Sequence, residues 1–123
     1  MEYHYNLDGS AAAVLVSHGF GAGWSTWNDS NLAWDKRVVE YVMEHMEVPD
    51  WRDNVGNDSI EHDEMVEFLN SIGYMDAYLG GLRQIAIEWV PVGAHFIIDE
   101  YDGNESITYR DDIVWKVIGS NGK

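Results

Sequence analysis

The feature that most constrains this chain is a short apolar run, residues 11–17 (AAAVLVS), that ends abruptly in a glycine-spaced turn, HGFGAGWSTWN. Asp8-Gly9-Ser10 bounds the run on one side and His18-Gly19 on the other, so it reads as a buried strand. Tyr3–Leu7 pairs with it through the Asp-Gly turn. Gly19, Gly21 and Gly23 alternate ahead of an expected helix, and backbone amides so placed can cradle an anion. The spacing G-x-G-x-G is neither of the established phosphate-loop patterns, and no Lys or Arg follows until Lys36-Arg37. The first reading is therefore a turn folded tightly under Trp24 and Trp27, with Phe20 and Trp34 completing an aromatic cluster. The alternative is a ligand or nucleotide loop over residues 18–28, made by Gly19, Gly21, Gly23, Trp24 and Trp27.

The strand and turn also resemble the first strand and oxyanion loop of an α/β-hydrolase. That fold needs a serine on a strained G-x-S-x-G elbow, where small neighbours let the backbone approach closely. The nearest stretch here, Gly23-Trp24-Ser25-Thr26-Trp27, has tryptophan at the second glycine position and lies inside the same loop. One loop cannot serve both roles, and the rest of the chain cannot supply the parallel sheet.

After Asn28 the apolar period becomes helical. Trp34, Val38, Tyr41, Val42 and His45 share a face, and Asp29 or Ser30 supplies the N-cap. Val48-Pro49-Asp50 stops this helix, and residues 51–57 form a polar loop. A second helix starts at Asp58 with Glu61 closing a capping box, buries Met65, Phe68, Leu69 and Ile72, and ends at Gly73 in the left-handed conformation. The period then shifts to two. Ile85, Ile87 and Trp89 alternate with their neighbours, Pro91-Val92-Gly93 turns, Phe96–Tyr101 runs back, and Asp102-Gly103 turns into Ser106–Tyr109, an antiparallel meander. Asp111–Val117 is a last strand or short helix, and residues 119–123 fray. Helices in succession, flanked by hairpins, give an α+β fold: a single domain over 1–123, its antiparallel sheet packed with two helices.

Length and composition agree, since 123 residues with 46% hydrophobic content fill one core and not two. Without cysteine there is neither disulfide nor thiolate metal site. No long apolar run and no basic leader is present, so the expectation is a cytoplasmic protein off the membrane. Charge is the most unusual property: 22 Asp and Glu against 7 Lys and Arg, a formal −15. Such a surface repels phosphate backbones and anionic lipids and attracts basic proteins, which argues against direct nucleic-acid or membrane binding. Six Trp and seven Tyr separate it from disordered acidic chains.

The histidines and carboxylates give no catalytic pattern. Glu61-His62-Asp63-Glu64 and His95 with Asp99-Glu100 lack metal-site spacing, so neither metal nor cofactor is expected. His18 near Ser17 and Ser25 has no third partner. Glu88 with Asp99 or Glu100, across a hairpin, would serve acid–base chemistry if one were buried. The acids also form two patches: Asp58, Glu61, Asp63, Glu64 and Glu67 on the second helix, and Asp99, Glu100, Asp102 and Glu105 on the last hairpin. On a shared face they would imitate nucleic-acid phosphates and occupy a basic cleft on another protein.

Across nearly its whole length, through VLVSHGFGAGWSTWN, LAWDKRVVEYV and SIGYMDAYLGGLRQIAIEWVPVGAHFIIDEYDGNE, the chain resembles small accessory proteins of tailed bacteriophages. The resemblance implies an accessory factor in the host cytoplasm, of the host-takeover or anti-defence type, and carries no catalytic residues. The resulting expectation is a non-enzymatic inhibitor of a host protein with a basic surface, a nucleic-acid-binding defence factor of the kind met by anti-restriction or anti-CRISPR proteins and DNA mimics. Oligomeric state is left open.

Overall fold

The computed structural model describes residues 2–19, 23–45 and 60–110, the Arg83 side chain apart. At its centre lies a two-stranded antiparallel ribbon in which β1 (Ala11–Ser17) pairs with β2 (Ile85–Pro91), Leu15 opposite Ile87 and Val14 opposite Glu88. Pleating sends successive side chains to opposite faces, and both faces of this ribbon are covered. Ala13, Leu15, Ile85 and Ile87 join a core with Trp24, Leu32, Val38, Val42, Met65 and Leu69. Val14, Val16 and Val90 turn the other way, where Phe96, Ile98 and Ile107 pack on them. Two-sided burial is why β1 is a continuous apolar run and not an alternating one. Fully burying each such aliphatic side chain contributes about 1.5–3 kcal/mol. Before β1, the expected turn forms, with Asp8 accepting from the Ser10 amide at 3.0 Å, and Tyr5 meets Ala12 in an isolated bridge.

The first helical region comes in two pieces. Asp29 caps a single 3-10 turn, Ser30–Ala33, through the Asn31 amide at 2.9 Å. Asp35 then interrupts: its side chain accepts from the Arg37 amide at 3.0 Å and its carbonyl from Val39 at 2.9 Å, starting α1 (Lys36–His45). A buried carboxylate that caps a new helix outcompetes continuation of the old one. Helix α2 (His62–Ser71) buries Met65 and Leu69, half-buries Phe68 and Ile72, and stacks Phe68 on Tyr41 of α1 at 4.2 Å. It ends as expected at Gly73, φ +100°, in a Schellman motif: the Gly73 amide reaches Asn70 O and the Tyr74 amide Leu69 O. Glu61 occupies the N-cap position without a side-chain cap bond. Asp58, its expected partner in a capping box, lies outside the described residues, as do the segments 46–57 and 111–123.

A second ribbon, β3 (Phe96–Tyr101) with β4 (Asn104–Tyr109), closes through Asp102 and Gly103, φ +51° and +89°. Positive φ at both central positions is the type I′ turn that matches strand twist. The arrangement is α+β, with two α-helices and two antiparallel ribbons among the described residues. The C-terminal strands divide between those ribbons, since β2 pairs with β1 and not with β3. Pro91 brings no N–H to a ladder, and the turn after it, with the Ala94 amide on Pro91 O at 3.1 Å, carries the chain from the ribbon's edge onto its face. Glu88 consequently stands opposite Val14, and the carboxylate pair expected across a β2–β3 hairpin does not form. Among the described residues no helix is long and apolar enough to cross a membrane.

Candidate functional site

The glycine turn and the last ribbon meet at one carboxylate. Glu105 is fully buried, although its residue type and its neighbours in sequence are those of an exposed hairpin end. Period-two alternation explains its direction: Glu105, Ile107 and Tyr109 share the face of β4 that covers the central ribbon. Its Oε1 accepts from the Ser17 amide at 2.9 Å. Its Oε2 accepts from the Trp24 amide at 2.9 Å, the Thr26 amide at 3.0 Å and the Thr26 hydroxyl at 2.5 Å. The turn is therefore an anion cradle whose anion is the chain's own. Charge-assisted bonds of this kind are short and strong, and four of them offset much of the cost of burying a carboxylate.

This geometry redistributes the residues expected to hold a ligand. Trp24 is fully buried and donates its indole N–H to Leu32 O at 3.0 Å, so it is core. Gly19 and Gly23 are buried too, Gly21 lies outside the described residues, and Trp27 is exposed. Ser17 and Ser25 are both buried, which removes them from contact with a substrate in solvent.

A second interior carboxylate organises the start of α1. Asp35 is 3% exposed and receives the Arg37 guanidinium through Nε at 3.1 Å and Nη2 at 2.7 Å, the Arg37 amide, and the Tyr74 hydroxyl at 2.6 Å. The Arg37 bonds, helped by Tyr74 and opposed by burial, hold the Asp35 carboxyl down at about 2. Burial and the Asp35 bond push the Tyr74 phenol up to about 12. This unit ties α1 to the chain leaving α2. Sequence reading missed it, although D-x-R just ahead of an apolar helical pattern is a usable signal for a capping carboxylate with an internal counter-ion.

The acids expected to form the two patches are, Glu105 apart and among the described residues, at the surface. On α2, Glu61, Asp63, Glu64 and Glu67 are exposed, and among the described residues no lysine or arginine pairs with them; Asp63 meets only the His62 ring, at 3.2 Å. Their field reaches α1, where burial first, then Glu64 and Glu67, raise the Tyr41 phenol. On the last ribbon, Asp99, Glu100 and Asp102 are exposed, but two of them serve the hairpin itself: Glu100 accepts the Gly103 amide at 2.6 Å and Asp99 accepts the Thr108 hydroxyl. Glu105 leaves the surface set because it is buried and fully bonded. Helix α2 packs on one face of the central ribbon and β3–β4 on the other, so the two acidic patches lie on opposite sides. Among the described residues no group of three or more His, Asp or Glu side chains is placed to hold a metal ion. No protein-family model matches this chain, and no curated protein or solved structure matches it either.

Proposed function

We propose that the protein is a non-enzymatic binding protein that lays the outer face of α2 on a basic surface of another protein, a host nucleic-acid-binding factor in the phage setting its sequence resembles. One observation carries this reading: Glu61, Asp63, Glu64 and Glu67 are all exposed along one helix, with no lysine or arginine among the described residues to neutralise them. A chain that pairs Asp35 with an internal arginine yet leaves the α2 acids without a lysine or arginine partner among the described residues carries charge available to a partner. Such a field accelerates association and weakens steeply with salt. The acids of the last ribbon, on the far side and partly committed to their own hairpin, fall outside this footprint, which narrows phosphate imitation to α2. The glycine-turn ligand site has little to recommend it, because the Trp24 and Thr26 amides already hold Glu105.

The test is affinity capture from bacterial lysate at low and high salt, comparing the native chain with Glu61→Lys/Glu64→Lys/Glu67→Lys and with Asp99→Lys as the opposite-face comparator. Expected is a basic partner retained at low salt, released by high salt, lost on reversal of α2 and kept by the Asp99 variant. Capture that persists unchanged after reversal of α2 sinks the reading.

A further inference from the structure

Beside the C-terminal end of α2 lies an open cleft of about 480 Å³ between the turn that follows Trp24 and the irregular segment after Gly73. Trp27, Asp29, Met75 and Asp76 are among its walls, and all four are exposed. Trp27 and Met75 keep 41% and 65% of their surface in solvent, so the cleft offers apolar area beside its two carboxylates.

The aromatic wall is built in place. Tyr78 stands against Trp27 with ring centroids 5.6 Å apart at 44°. Asn28 ties their backbones together, its Nδ2 donating to Trp24 O at 2.8 Å and Tyr78 O at 2.9 Å while its Oδ1 accepts the Tyr78 amide at 2.7 Å. Each ring also rests on a glycine. A Cβ on Gly23 would lie 2.8 Å from Trp27 Cδ1, and one on Gly80 would lie 2.6 Å from Tyr78 Cε1. Held this way, the indole loses little freedom on binding, which is what a pre-organised anchor requires. The carboxylates are placed by backbone geometry. Asp29 caps the 3-10 turn, and Asp76 sits at φ +59°. Among the described residues, no hydrogen bond engages the Asp76 carboxylate or the Trp27 indole N–H.

We propose that this cleft receives an arginine side chain of the basic partner, its guanidinium lying on the Trp27 ring and donating to Asp29 and Asp76. An indole face beside two carboxylates suits a planar, weakly hydrated cation that stacks and donates at once, and suits the compact lysine ammonium less well. Tryptophan and arginine are also the side chains that dominate interface energies. This inference rests on the α2 reading above and supplies its anchor, because the cleft continues from the end of that acidic helix.

The test is a ¹H–¹⁵N titration of the full chain with acetylated tetra-arginine, using acetylated tetra-lysine as the charge-matched comparator. Expected are a saturable shift of the Trp27 indole resonance and arginine binding at least fivefold tighter than lysine. That preference should vanish in Asp29→Asn/Asp76→Asn and in Trp27→Leu. Asparagine caps as well as aspartate and tolerates positive φ, so the double variant keeps its fold. Glu64→Gln/Glu67→Gln should weaken both peptides alike and leave the preference. Equal affinities with shifts confined to α2 would overturn the cleft and leave the acidic-face reading standing. No binding of either peptide would overturn both.

Discussion

Interior and surface carboxylates in this protein do opposite work. Glu105 and Asp35 are buried, receive several donors each, and join segments distant in sequence: Glu105 ties β4 to the turn after β1, and Asp35 links α1 to Tyr74 beyond α2. Glu61, Glu64 and Glu67 are solvated and, among the described residues, their side chains tie nothing together. The same functional group is structural where donors surround it and desolvation makes each bond strong, and is left for external use where water screens it. Net charge alone hides this division, because each of these residues contributes one unit to the −15.

The sharpest break of the comparison is Glu105→Ala. It takes the acceptor from the buried Ser17 and Trp24 amides and from the part-buried amide and hydroxyl of Thr26, and the loss should be about 3–5 kcal/mol by denaturant unfolding. That is a large share of the roughly 5–15 kcal/mol typical of a folded domain. Glu105→Gln keeps the shape and one acceptor oxygen but sets an amide N–H₂ against donors, so it should fall between native and alanine. A Glu105→Ala loss under about 1 kcal/mol, the scale of a surface change, would remove the distinction between the two classes of acid.

Asp35 is the intermediate case and adds a pH signature. Its folded pKa lies below the ordinary carboxylate value, so its stabilisation is complete above about 4 and is lost as pH falls toward 2. The difference between 3.8 and about 2 corresponds to about 2 kcal/mol. Tyr74 acts at the other end: its raised pKa favours the neutral phenol in the fold, so its share is intact below 10 and is lost as pH rises toward 12. Stability against pH should therefore flatten between these limits. Tyr74→Phe should cost about 1–2 kcal/mol and shrink the alkaline fall to the part the raised Tyr41 phenol supplies, whereas Asp35→Asn should flatten the acid limb between 4 and 2. An acid limb unchanged in Asp35→Asn would place the titration elsewhere.

How far all this was legible in the chain follows from which interactions are local. β1 reads from its apolar run, the end of α2 from Gly73, and the last hairpin from Asp102-Gly103, because strand burial, a left-handed terminus and a type I′ turn each depend on a few adjacent residues. The pairing of β2 with β1 is not local. It joins strands about seventy residues apart in sequence, and the period of Ile85, Ile87 and Trp89 is the same whichever strand lies beside it. Glu105 shows the same limit more sharply. Its alternation with Ile107 and Tyr109 gives its face, but composition argued for the surface, and only the glycine turn arriving from the far end of the chain supplies the donors that make burial affordable. The helix break at Asp35 was readable in principle and was outweighed by the regular spacing from Trp34 to His45. The α2 acids were legible as a set. Their separation from Asp99 and Asp102 was not, since it depends on which face of the central ribbon each element covers.

The gentlest test is at the surface end of the comparison. Glu64→Lys/Glu67→Lys replaces solvated groups that meet no cation among the described residues, so stability should move by no more than about 0.5 kcal/mol per site. Relief of mutual repulsion favours the change, while Glu64 lies in the first turn of α2, where the helix dipole favours acids, so its reversal gives part of that gain back; Glu67 lies a turn later. The Tyr41 phenol offers an independent readout, because Glu64 and Glu67 contribute to raising it: its titration, followed by absorbance, should move down in the variant while burial keeps it above the ordinary value. If stability instead falls as far as in Glu105→Ala, the α2 acids hold the fold together, and the division between interior and surface carboxylates fails where the proposed function depends on it.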